Sequence, residues 1–77
     1  MHFQDKEIII TRHAVERARM RGIRYPDQIY NVIITGKLAR FGKRMLKFTK
    51  KAKIGSIICI CEEIQDKIIV KTVERGN

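Results

Sequence analysis

The apolar positions of this chain change period twice. Ile8-Ile9-Ile10 is a short unbroken run that reads as a strand or an extended lead-in. From Arg12 the spacing becomes helical. Ala14, Val15 and Ala18 share one face, which predicts a helix over 12–21. Thr11 is a suitable N-cap, and Gly22-Ile23 supplies the left-handed residue and the hydrophobic contact of a helix stop. Ile29, Val32 and Ile33 repeat the helical spacing in a second helix. Pro26 suits its N1 position, Asp27 its first turn and Gly36 its end.

After Gly36 the period shortens to two. Residues 38–41 form a short extended run, and Gly42-Lys43 reads as a turn. Over 44–50, Leu46 and Phe48 take one face and Met45, Lys47 and Thr49 the other. Residues 54–62 are the most apolar stretch and predict a central strand, and 67–75 predict the last. The expected architecture is one α+β domain, 1–77. Two short helices pack on one face of a three- to four-stranded antiparallel sheet. The second face is left uncovered and carries Lys47, Thr49, Lys71 or their neighbours.

Size and charge narrow the function. A chain of 77 residues buries only about 60% of its unfolded surface. Seventeen Lys and Arg against eight Asp and Glu leave a net charge of +9. A field that positive attracts polyanions, nucleic acid first, unless it serves only as a solubilising surface. No apolar run approaches the roughly 20 residues of a membrane span. Gln4, Asp5, Lys6 and Glu7 argue against a secretory leader, so a cytoplasmic protein is expected. Cys59 and Cys61 would point the same way on a strand, too far apart to bond comfortably. They read as buried thiols in a reducing compartment. With only His2 and His13 available elsewhere, no metal site and no cofactor is expected.

Two constellations could carry function. On a helix, His13, Arg17 and Arg21 lie one turn apart in a stripe that drifts about 40° per step. Ala14 and Ala18 place that stripe at the border of the buried face, and Arg12 and Arg19 lie well around from it. The helix dipole disfavours a positive imidazole at His13, and Arg17 pushes the same way. A neutral histidine can take a proton and return it. Arginine forks match phosphate oxygens. The bland alternative is a helix edge, with Arg21 complementing the dipole and Arg17 paired with Glu62 or Glu74. The second constellation is Lys37, Arg40, Lys43, Arg44, Lys47, Lys50, Lys51 and Lys53, eight cations in seventeen residues with no acid among them. Phe41 and Phe48 interleave with them, a composition suited to RNA or a single strand. Phe48 fits the core better, because it alternates with Leu46. Walker-type phosphate loops, dinucleotide glycine fingerprints, nucleophile elbows and paired-Cys zinc patterns are absent.

The run His13-Ala14-x-x-Arg17-x-x-x-Arg21-Gly22-Ile23, followed by a short helix ending at Gly36, resembles a family of small prokaryotic proteins. That family is catalogued as a domain of unknown function, number forty-two fifty-eight. It is similar to the RelE-like and barnase-like ribonuclease and toxin folds. The resemblance implies two helices before an antiparallel sheet and metal-independent RNA cleavage in a toxin–antitoxin setting. It puts His13, Arg17 and Arg21 forward as catalytic, with sheet helpers among Lys47, Thr49, Lys71 and Thr72. The leading expectation is therefore a small basic RNA-binding protein acting as a metal-independent ribonuclease of the toxin type. The basic series, with Lys71, would hold the RNA. The rival is a non-catalytic nucleic-acid-binding protein. A third class is an interaction domain for an acidic, antitoxin-like protein partner.

Overall fold

The computed structural model describes residues 2–53 and 55–76, so Ile54, the expected first residue of the central strand, lies outside the described residues. The elements are β1 (His2–Phe3), β2 (Lys6–Ile10), α1 (Arg12–Met20), α2 (Asp27–Thr35), β3 (Lys37–Phe41), β4 (Met45–Ala52), β5 (Gly55–Ile64) and β6 (Lys67–Gly76). All six strands form one sheet in the order β1-β2-β6-β5-β4-β3. β3 to β6 run as an antiparallel meander, β1 and β2 form a hairpin, and β2 pairs parallel to β6.

This corrects the expected three- to four-stranded antiparallel sheet with RelE-like order. Strand occupies 54% of the structure and helix 24%, and the sheet is a curled half-barrel of six strands. The extra strands come from the N-terminal segment. Gln4 and Asp5 both have positive φ, the geometry of a two-residue hairpin turn, and they fold His2–Phe3 back onto β2. Ile8, Ile9 and Ile10 then pair with Ile68, Ile69 and Val70 some sixty residues later. A parallel pairing over that separation leaves no local pattern to read.

The curl shows in one contact. Phe3 and Phe48 meet edge to face with ring centroids 5.3 Å apart. Their strands are four positions apart in the sheet, a distance of about 19 Å if it were flat. The concave side therefore closes over the core, where Leu46, Phe48, Cys59, Val70 and Val73 are essentially inaccessible. Ala14 and Ala18 of α1 and Ile29, Val32 and Ile33 of α2 fill it from the helical side.

Local chemistry sets the helix ends. The Thr11 hydroxyl accepts from the Ala14 N–H at 3.2 Å and donates to the Val70 carbonyl at 2.8 Å, so the cap also anchors α1 to β6. At the other end Gly22 takes φ +69. Its N–H reaches the Arg19 carbonyl at 3.1 Å, and the Ile23 N–H reaches the Ala18 carbonyl at 2.8 Å. This is a Schellman stop, with Ile23 buried as its hydrophobic contact. Pro26 occupies the N-cap of α2, one position before the expected N1. Gly36 caps α2 with extended φ. Its need is space: a Cβ there would fall against the Val32 carbonyl oxygen and 2.8 Å from that of Thr49.

Candidate functional site

The stripe on α1 grades from open to enclosed. His13 is exposed in the first turn, Arg17 is half-buried, and Arg21 caps the helix with its guanidinium pressed onto β6. Arg21 Nη2 donates to Glu74 Oε1 at 2.6 Å, and the Thr72 hydroxyl donates to Glu74 Oε2 at 3.1 Å. Arg75 reaches back to the Arg21 carbonyl at 3.0 Å. Burial works to raise the Glu74 carboxyl. The bonds from Arg21 and Thr72 and the charges of Arg21 and Arg17 outweigh it, so the group sits below the ordinary value of 4.5. Among the described residues, no hydrogen bond or ion pair holds His13. The α1–β6 seam thus joins an open imidazole, a half-open arginine and a neutralised Arg21–Glu74–Thr72 cluster. Glu74 enters the pattern only as a pairing partner for Arg17, whereas the structure gives it to Arg21.

The sheet divides the basic series. Strand alternation puts Lys37, Lys47 and Lys51 on the convex face, which neither helix covers. Arg40 and Lys50 fall on the concave side, level with Leu46 and Phe48. Both are engaged there: Arg40 with Glu63 at 3.0 Å, Lys50 with the Thr35 hydroxyl at the end of α2. Lys43 and Arg44 are exposed in the β3–β4 turn, and Lys53 is exposed beyond β4. Lys71 stands at a bulge in β6, between the pairs Ile60–Thr72 and Cys61–Val70, and meets Glu62 at 3.5 Å. The eight cations are therefore not one surface. Their spacing in the sequence carries no mark of this division beyond the alternation itself.

Glu63 organises the mouth of the half-barrel. It accepts from Arg40 on β3 and lies 3.4 Å from Lys6 on β2, linking strands from opposite sides of the sheet. The hydrogen bond from Arg40 is the main reason that its carboxyl lies below 4.5. Cys59 and Cys61 are free, buried thiols, and burial raises Cys59 to about 12. No cluster of three or more His, Cys, Asp or Glu suited to a metal occurs among the described residues. No helix is long and apolar enough to cross a membrane. An open hollow of about 300 Å³ runs along α2, lined by Asp27, Tyr30, Asn31 and Ile34, and holds none of the candidate residues.

The convex face forms ordered rows. Thr72, Ile60, Lys47 and Ala39 lie side by side across β6, β5, β4 and β3. Glu74, Ile58, Thr49 and Lys37 form the next row. The second row starts at Glu74, which Arg21 of α1 holds, and Thr72 at the head of the first row donates to the same carboxylate. The chain matches no family model, no curated protein and no solved structure.

Proposed function

We propose that this chain is a small RNA-binding protein that cleaves RNA at the α1–β6 seam without a metal, and that its α1 motif is that of family forty-two fifty-eight. The observation that carries the proposal is His13. It stands exposed, with no hydrogen bond or ion pair among the described residues, one helical turn before Arg17 on the stripe whose last member, Arg21, is held to Glu74 of β6. In the reaction the RNA 2′-oxygen attacks the adjacent phosphorus and loses its proton, while the 5′-oxygen leaves and gains one. The products are a 2′,3′-cyclic phosphate and a 5′-hydroxyl. His13 exchanges these protons, and a positioned acid–base group of this kind contributes about 10²–10⁴-fold. Arg17 meets the charge growing on the phosphate. Arg21 is committed to Glu74 and acts by holding the seam in place.

Incubation of the purified protein with RNA in EDTA tests this. Cleavage products ending in cyclic phosphate are expected, and His13→Ala should lose at least about 100-fold in rate. The exposed site predicts a stability change within about 0.5 kcal/mol for that variant. The Arg21–Glu74 pair favours one other reading, a protein that binds RNA without cutting it. RNA retained intact by the wild type would select that reading. Absence of both binding and cleavage would remove both.

A further inference from the structure

The convex face raises a question that the seam does not answer. On this face Ile58, Ile60, Ile69 and Ile9 are only half-buried, and no helix covers them. Two acids there are paired, Glu62 with Lys71 and Glu74 with Arg21, and Glu7 lies opposite Lys67 in the β2–β6 register. Lys37, Lys47 and Lys51 have no ion pair among the described residues; Lys47 lies directly beside Ile60, Lys37 lies one strand beyond Thr49, the neighbour of Ile58, and Lys51 is two residues along β4 from Thr49. An apolar strip with uncompensated cations along one flank fits a ligand with apolar faces on one side and anions on the other.

We propose that this face is a track for single-stranded RNA, with nucleobases lying on Ile58 and Ile60 and phosphates on Lys37, Lys47 and Lys51. The inference rests on the RNA-binding reading above and specifies the form of RNA it takes. Only an unpaired strand offers bare base faces to an apolar surface; a duplex hides them and presents its sugar–phosphate rails. From Thr72 to Ala39 the row spans three inter-strand gaps, about 14 Å, room for a few nucleotides. A second copy of the chain is a poor occupant, because two such faces would bring six uncompensated lysines together.

The test uses the His13→Ala protein, which leaves the probe intact, in fluorescence anisotropy with a labelled uridine dodecamer, alone and annealed to its complement, over a series of salt concentrations. The single strand should bind about tenfold or more tighter than the duplex. Its log affinity should fall against log salt with a slope near −0.7 per phosphate, so about −2 from three lysines. Lys47→Ala with Lys51→Ala should flatten that slope by about 1.4. Ile60→Thr should weaken binding several-fold, on the order of one lost base contact, at unchanged slope. Arg40→Ala and Lys50→Ala, on the concave side, should change neither. Equal or tighter binding of the duplex overturns the track. So does a slope carried by Lys43, Arg44 and Lys53 instead of Lys47 and Lys51, although RNA binding itself then stands. Light scattering that shows a dimer dissolved by Ile60→Asp gives the face to a second copy and also overturns the track. No binding of either RNA defeats the functional reading along with it.

Discussion

On the concave side of the sheet, Phe48, Cys59, Val70 and Val73 lose all measurable exposure. On the convex side of the same strands, Ile58, Ile60 and Ile69 keep part of theirs. The cations divide in the same way. Lys50 and Arg40 find partners at the helix end and at Glu63, while Lys37, Lys47 and Lys51 stand over solvent. Identical residue types thus serve as core and clasp on one side and as open surface on the other. The difference lies in what covers them: two helices and the curl of the sheet enclose one side only. A small basic protein can in this way spend its limited apolar surface on a single core and still present a second apolar strip to a ligand.

The contrast between the two faces should be lost most completely when the covered side is opened. Phe48→Ala removes the ring that meets Phe3 and should cost about 3–5 kcal/mol in denaturant unfolding. That is a large share of the stability expected for a domain of this size, about 4–12 kcal/mol. A cost below about 1 kcal/mol would mean that the concave side is not the core. Gly36→Ala comes next. Its methyl would press on two backbone oxygens between α2 and β4, and about 1–3 kcal/mol should be lost as they separate. The same change at Gly42, with open space around it, should show only the smaller cost of its positive φ.

Acid addresses both sides at once through Glu63 and Glu74. Each carboxyl is held below 4.5 in the folded protein, Glu63 mainly by the Arg40 hydrogen bond and Glu74 by Arg21 and Thr72 against the opposing effect of burial. A depressed carboxyl stabilises the fold fully above its unfolded value and ceases to as pH falls through its folded value. Melting temperature should therefore hold near neutral pH and decline from about 4.5 downward, and Glu63→Gln with Glu74→Gln should flatten that decline. An unchanged decline in the double variant would show that neither pair is held in solution. The smallest effect belongs to the open face. Ile60→Thr should shift stability by only about 0.5 kcal/mol. A loss approaching that of Phe48→Ala would reveal that something covers the convex strip.

Much of the local structure was legible in the chain. The Thr11 cap, the Gly22-Ile23 stop and the spacing of Ile29, Val32 and Ile33 are short-range signals, and both helices lie where they point. Period-two alternation likewise placed Leu46 with Phe48 and set Lys47 and Thr49 opposite them. The site was legible as a stripe of residue types on α1. The commitment of Arg21 to Glu74 was not, because a helix sequence does not say which strand its edge will meet.

The two helices, the buried alanines of α1, the period-two strands after Gly36 and the excess of positive charge were readable along the chain, since each follows from neighbours within a few residues or from composition. The parallel joining of β2 to β6, and the curl that brings Phe3 onto Phe48, arise only in the folded chain. The fold also separates eight clustered cations onto two faces and two connections, a division of which the chain shows only the strand alternation. These depend on pairing over long separations, where the enthalpy of a contact is set by which surfaces finally meet and the closure entropy grows only slowly with loop length. Local pattern carries no record of that choice.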